Sequence, residues 1–92
     1  MSQTTIDETA RIHPSAKVGN NVSIGAYSIV HENSSIGDGT VLKNHVTIGP
    51  NTTIGRNNTI YPYSSVGGDP QDLQWHGEAT NLVVGDNNVI RE

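Results

Sequence analysis

The stretch VTIGPNTTIGRNNTI, residues 46–60, places an isoleucine at every sixth position: Ile48, Ile54 and Ile60. A helix repeats near 3.6 residues and a strand repeats every 2, so neither element alone explains a period of six. From residue 6 to residue 66 every sixth residue is Ile, Val or Leu. This regularity predicts a repeat architecture.

Two further positions of each hexad are restricted. The residue four places after each aliphatic is small or short, and the residue directly after it is often glycine. A short parallel strand followed by a sharp corner would give each hexad one bulky inward side chain, one small inward side chain and one bend. Corners favour Gly, Asn, Asp and Pro. We therefore expect Asn57 and Asn58 to be corner residues.

Three hexads make the smallest closed coil, so side chains three hexads apart should lie over one another. Two sets recur at this spacing: Tyr27, His45 and Tyr63, and also His13 and His31. The sequence therefore predicts an all-β fold with a single domain, residues 1–92, wound as a parallel β-helix of triangular 18-residue coils.

One segment breaks the pattern. Residues 67–81, GGDPQDLQWHGEATN, leave the hexad and contain the single tryptophan. The phase resumes at Val84 and Ile90, so we expect a loop excursion at about residues 67–83. Since Val66 and Val84 are three hexads apart, the coil register is expected to survive it. Such a loop is either a binding segment held by a rigid scaffold or a plain surface loop packed on the coil.

Charge and composition narrow the function. The five Lys and Arg residues are scattered and the formal net charge is −4, which argues against a nucleic-acid partner. The sequence has no apolar run of membrane-span length and no secretory signal, so we expect a cytoplasmic protein without a membrane span. Zero cysteines exclude disulfides and thiolate metal sites.

The histidine pair His13 and His31 has two interpretations. Stacked histidines one coil apart can be zinc ligands, as in hexapeptide-repeat carbonic anhydrases. The same column continues to Gly49, which supplies no third ligand. We therefore favour surface histidines and predict no metal site.

The hexad array resembles the left-handed parallel β-helix of the hexapeptide-repeat acyltransferases. Within that group, IHPSAKVG, IGDGTVLKNHV and PQDLQWHGEATNLVVGDNNVIRE resemble the N-terminal part of the UDP-N-acetylglucosamine O-acyltransferase family, over residues 6–92. The resemblance implies a cytoplasmic homotrimer that needs no cofactor. It also implies transfer of a 3-hydroxyacyl chain from acyl carrier protein to the 3-hydroxyl of UDP-N-acetylglucosamine, the first step of lipid A synthesis.

By this resemblance, Gln71, Asp72 and Leu73 contact the nucleotide sugar at a cleft between subunits. Gln74 completes the substrate-binding segment at a position where the family usually has lysine. The neutral amide removes a positive charge suited to the diphosphate.

The family's catalytic base is a histidine on a later coil, and the resemblance implies no catalytic residue within this chain. None of His13, His31, His45 and His76 lies in that motif. We therefore expect an N-terminal fragment that does not acylate by itself. The alternative is a non-catalytic β-solenoid that serves as a trimerisation or scaffold module.

Overall fold

A computed structural model describes residues 3–67 and 82–91, and within these ranges the regular structure consists of short strands. The strands are β1 (Thr5–Ile6), β2 (Arg11–Ile12), β3 (Lys17–Val18), β4 (Ser23–Ile24), β5 (Ile29–Val30), β6 (Ser35–Ile36), β7 (Val41–Leu42), β8 (Thr47–Ile48), β9 (Thr52–Ile54), β10 (Thr59–Ile60), β11 (Ser65–Val66), β12 (Leu82–Val84) and β13 (Val89–Ile90). The predicted all-β class is confirmed.

The strands stack into three parallel sheets. Sheet A has the order β1-β4-β7-β10-β13, sheet B has β11-β8-β5-β2, and sheet C has β12-β9-β6-β3. Among β1 to β11, every pairing joins strands that are three apart in chain order; in sheet B, for example, Ile12 lies opposite Val30 and Val30 opposite Ile48. These partners are separated by three hexads, so the triangular coil predicted from the sequence is confirmed.

The core is one continuous cluster of aliphatic side chains along the axis of the coil. Its buried members are Val22, Ile24, Val30, Ile36, Leu42, Val46, Ile48, Ile54, Ile60 and Val66. Ile6 has the same phase but is 44% exposed, because β1 lies at the end of its sheet. The hexad aliphatics of β2 and β3, which also lie at sheet ends in the first coil, are likewise only half-buried.

The small inward positions hold the coils together through hydrogen bonds. The Ser28 hydroxyl donates to the carbonyl of Lys43 at 2.9 Å and accepts from the amide of Val46 at 3.1 Å. Ser34 and Thr40 make the equivalent pairs with the coils above them. A small polar residue suits this position because a buried hydroxyl must find partners, and the next coil offers both.

The corners turn through left-handed backbone. Five asparagines adopt φ between 56° and 61°, a region that asparagine tolerates better than most residues: Asn21, Asn33, Asn51, Asn57 and Asn87. Asn57 is therefore a corner residue as predicted. The same prediction for Asn58 is wrong: its side chain points inward, is 0% exposed, and occupies the small inward position of its hexad.

The coil that follows β11 contains an insertion. Val84 pairs with Ile54 and Ile90 with Ile60, so each pair is separated by five hexads instead of three. The prediction that the coil register survives, based on the interval between Val66 and Val84, is therefore wrong. The insertion amounts to two hexads, the difference between five and three, and a whole number of hexads preserves the phase. The chain is back in a strand at Leu82, slightly earlier than predicted.

The sequence explains why the chain skips two hexads. Without an insertion Asp72 would take the inward aliphatic position over Ile54, and with an insertion of one hexad Glu78 would take it. Burying an unpaired carboxylate in this core would cost several times more than an aliphatic gains, roughly tens of kcal/mol before the group neutralises. Val84 is the next residue of this phase that can fill the position.

Candidate functional site

The chain leaves and rejoins the coil at the corner between sheets B and C. Gly67, at the exit, has φ of 101°, and a Cβ there would lie 3.2 Å from the backbone of Gly49, closer than a side chain can pack without displacing it. At the return, the amide of Leu82 donates to the carbonyl of Asn51 at 3.2 Å. The described ends of the excursion are therefore both held over the same corner.

The returning chain is fixed by side chains as well as by the backbone. The carboxylate of Asp86 accepts the backbone N–H of Arg56 at 2.7 Å. The Asn58 carboxamide donates to the carbonyl of Gly85 and accepts from the amide of Asn88, each at 2.8 Å. Sequence reasoning missed the role of Asn58, although its place among the inward residues was a signal: it is a carboxamide where the other inward residues of this phase from Ala10 to Ser64 are Ala, Ser, Thr or Val.

The predicted substrate-binding residues lie in the excursion. Gln71, Asp72, Leu73 and Gln74 are outside the described residues, as is His76. Their role stays a prediction that depends on the resemblance. What the described residues provide is the corner between sheets B and C at which both ends of that segment lie.

His31 and His13 lie at the same corner, one coil and two coils below Gly49, respectively. The Nδ1 atom of His31 lies 4.0 Å from a carboxylate oxygen of Glu32, and both side chains are about half exposed. Nδ1 of His13 lies 3.1 Å from the backbone N–H of Ser15, a local turn contact. Within residues 3–67 and 82–91 no three His, Asp or Glu side chains are grouped to hold a metal ion.

An open depression of about 440 Å³ lies on sheet B at the first two coils. Its rim combines apolar Ile29 with one cation, Arg11, and the imidazoles of His13 and His31. It is a shallow surface with mixed polarity and no paired acid and base across it.

The corner between sheets A and B carries stacked aromatic rings. The ring of His45 lies 5.3 Å from that of Tyr27 and 5.1 Å from that of Tyr63, with interplanar angles of 18° and 9°. All three residues have φ between 56° and 66°. The left-handed backbone costs a non-glycine residue roughly 1–2 kcal/mol, which stacking offsets by a similar amount. The predicted outward column is confirmed.

Two cations flank a tyrosine at the same corner. Lys43 Nζ lies 5.6 Å from the centre of the Tyr61 ring, and the guanidinium carbon of Arg91 lies 4.5 Å from it. These distances suit cation–π attraction, and the three residues come from three successive coils. The contacts therefore tie the returned coil to the two below it.

A triangular parallel solenoid built from hexads, with one excursion at a corner, defines the hexapeptide-repeat β-helix class. The sequence profile of the bacterial transferase hexapeptide family (six repeats) matches residues 15–50 and 33–68. The chain belongs to this hexapeptide-repeat transferase family.

Individual relatives carry a more specific name. An acyl-(acyl-carrier-protein)–UDP-N-acetylglucosamine O-acyltransferase of Pseudomonas putida is 58% identical over 96% of this chain and 34% of its own length. The enzyme of the same name from Xanthomonas oryzae is 51% identical over 95% of this chain and 33% of its own length. The chain thus spans about a third of the length of the curated relatives that it matches.

A solved structure with the same enzyme name is also similar to this chain. The crystal structure of UDP-N-acetylglucosamine O-acyltransferase from Moraxella catarrhalis superposes with a TM-score of 0.88 at 52% identity, over 95% of this chain and 34% of that one. Such structures are left-handed β-helices, so the predicted hand of the coil is confirmed. Across the described residues the strands are not accompanied by any helix long and apolar enough to cross a membrane.

Proposed function

We propose that this chain forms the β-helix portion of an acyltransferase that moves a 3-hydroxyacyl group from acyl carrier protein to the 3-hydroxyl of UDP-N-acetylglucosamine. The observation that carries the proposal is the identity of 51% and 58%, over 95% and 96% of the chain, to enzymes with that name. By resemblance, the complete enzyme is a cytoplasmic homotrimer and acts in the first step of lipid A synthesis.

Within this function we assign nucleotide-sugar binding to Gln71, Asp72, Leu73 and Gln74. An amide and a carboxylate suit adjacent sugar hydroxyls, because one donates and accepts while the other accepts twice. A leucine suits an apolar face of the ligand. The neutral Gln74 should hold the diphosphate less tightly than lysine would, since it offers no charge-assisted hydrogen bond.

We infer that the chemical step uses residues outside this chain. Acyl transfer needs a general base that takes the proton from the sugar hydroxyl while its oxygen attacks the thioester carbonyl and the carrier thiol leaves. No described histidine is held against a carboxylate within hydrogen-bonding distance, since the contact of His31 with Glu32 is 4.0 Å. By the resemblance that base is a histidine on a later coil, and none of His13, His31, His45 and His76 lies in the family's motif, so this chain should bind the sugar nucleotide without acylating it.

Calorimetric titration of the chain with UDP-N-acetylglucosamine tests the proposal. Asp72→Asn is expected to weaken binding about tenfold, because it replaces a charged acceptor with a mixed amide. Gln3→Ala, on the first coil, is the control and should leave affinity unchanged. Gln74→Lys should tighten binding, and the gain should shrink at high salt. Absence of binding by a chain that light scattering shows to be a trimer would favour the scaffold module instead.

A further inference from the structure

The depression on sheet B brings together four side chains from two successive coils. Arg11 lies on β2 and His13 follows that strand, while Ile29 and His31 occupy the equivalent places on β5. Arg11 lies directly opposite Ile29, and His31 is three hexads after His13. Neighbouring strands are about 4.8 Å apart and alternate residues of a strand about 7 Å apart, so these side chains surround one small patch. Its volume of about 440 Å³ suits a small molecule.

The permanent charge in this depression is a single cation. A guanidinium group stays protonated in proteins, and Arg11 makes no ion pair with a carboxylate of the described residues. Of the Asp and Glu residues that the structure describes, none lines the depression. The planar donor fork of Arg11 is therefore available to an oxyanion, which it can bind through two parallel hydrogen bonds.

The two histidines add hydrogen-bond donors to the depression. Nδ1 of His13 accepts the backbone N–H of Ser15 at 3.1 Å, and so a neutral ring carries its proton on Nε2. The His31 side chain is 42% exposed, and the next residue at its corner position is Gly49, which has no side chain to cover the ring. Each imidazole can thus present an N–H to an anion held by Arg11.

Ile29 supplies an apolar contact beside these donors. It is the only aliphatic at the outward positions of sheet B, where the other described residues are Arg11, Thr47 and Ser65, and it is 36% exposed. An apolar group of a ligand that covers Ile29 would remove this surface from water, which is favourable. A ligand that uses the whole depression therefore carries an anionic head and an apolar tail.

We propose that this depression binds a small alkyl carboxylate, with the carboxylate on Arg11 and the imidazole N–H groups and the alkyl chain over Ile29. One permanent cation matches one negative charge. A phosphate dianion would bring a second charge close to the carboxylate of Glu32, which lies 4.0 Å from Nδ1 of His31. The proposal concerns binding alone, is separate from the proposed acyl transfer, and uses none of residues 71–74.

The test is a titration of the full chain with hexanoate, followed by the amide chemical shifts in NMR spectra at constant pH and ionic strength. Saturable shifts should appear at residues 11–13 and 29–31, with a Kd on the order of 1 mM, because one charge-assisted contact on an open surface gives weak binding.

Two further probes separate the parts of the ligand. Hexanol supplies the tail without the charge, and inorganic phosphate supplies charge without the tail. Each should bind about tenfold more weakly than hexanoate, since each lacks one of the two contacts. Equal affinity for hexanoate and either probe, or no saturable shift with hexanoate, would overturn the proposal.

Substitutions of exposed residues identify the contacts without disturbing the core. Arg11→Gln should weaken hexanoate binding about tenfold, since a neutral amide offers no charge-assisted hydrogen bond. Lys17→Gln removes the same charge from the next strand, β3, outside the depression, and is the matched control with unchanged affinity. Ile29→Thr, which reproduces the residue found one coil above at Thr47, should weaken hexanoate binding and leave acetate binding unchanged. Equal losses in the Arg11 and Lys17 variants would mean a general charge effect and would contradict a site at Arg11.

Discussion

The middle coils and the returned coil share the same sheets but differ in burial. Inward aliphatics between residues 22 and 66 are 0–7% exposed, whereas Val84 and Ile90 on the returned coil are only half-buried. Other apolar side chains of the returned coil are exposed by 41%, 72% and 61%: Leu82, Val83 and Val89. The backbone ladder nevertheless continues, with the amide of Gly55 donating to the carbonyl of Val84 at 2.8 Å. Strand pairing therefore places the returned coil without burying its apolar side chains as fully as those of the middle coils.

The largest effect should come from a charge in the middle coils. Ile48 is 0% exposed, so Ile48→Asp buries a carboxylate without a partner and should cost about 5 kcal/mol or more, comparable to the stability of the whole domain. Val83→Asp is the matched change on the returned coil, where the side chain is 72% exposed. Thermal unfolding followed by circular dichroism should show no cooperative transition for the first and a nearly normal one for the second. A cooperative melt of Ile48→Asp would show that Ile48 points outward.

A substitution that creates a cavity should also destabilise the two regions unequally, but by less than a buried charge does. Val30→Ala in the middle coils removes methyl groups from a side chain that is 1% exposed and should cost roughly 2–3 kcal/mol. Val84→Ala should cost about 1 kcal/mol, because a half-buried site can relax and admit water. Urea midpoints at equal m-values give the comparison. Equal losses at the two sites would mean that the returned coil is packed as tightly as the others.

The hydroxyl ladder predicts a smaller difference. Thr40→Val keeps the shape of the side chain but leaves the Gly55 carbonyl without its 2.8 Å donor, and should cost about 1–2 kcal/mol. Thr53→Val makes the same change on the exposed side of β9 and should be close to neutral. The pair is measured by differential scanning calorimetry. A neutral Thr40→Val would show that the ladder does not contribute to stability.

The smallest effect concerns Asp7 on the first coil. Hydrogen bonds from the Thr9 hydroxyl and backbone N–H lower the pKa of this exposed carboxyl group below its ordinary value. A lowered pKa in the folded state stabilises the fold above the unfolded pKa, and this contribution disappears as pH falls through the folded value. Asp7→Asn should therefore flatten the acid limb of the melting-temperature profile slightly. An unchanged limb would show that the contact has no effect on stability.

The triangular coil could be predicted because every hexad repeats the same pattern of inward residues. One aliphatic per hexad fixes the inward face, and stacking at three hexads follows from closing a triangle, so the column of Tyr27, His45 and Tyr63 was predictable. The register after the break was not. The inward aliphatic position recurs with every hexad, whereas the same sheet recurs only with every third hexad. An insertion of two hexads therefore keeps Val84 at an inward aliphatic position but moves it from the sheet of Val66 to the sheet of Ile54.

The candidate site was only partly predictable for a related reason. The excursion is visible as a loss of hexads, and its polar residues as candidates, but nothing local to Asn58 reveals which coil it will meet. Asparagine often occupies corners, but Asn58 takes an inward position because the next coil provides hydrogen-bond partners for both the donor and the acceptor of its carboxamide. The role of Gln71–Gln74 is inferred from resemblance and needs the binding test.

The central claim is that the chain rejoins the coil two hexads late, with Val84 over Ile54. Scalar coupling across hydrogen bonds, measured by NMR on the isotope-labelled chain, tests it directly, since it identifies donor and acceptor without an intervening assumption. We predict a coupling between the amide nitrogen of Gly55 and the carbonyl carbon of Val84. A coupling from the amide of Gly67 to the carbonyl of Val84 would instead mean a full intervening coil and would contradict the account.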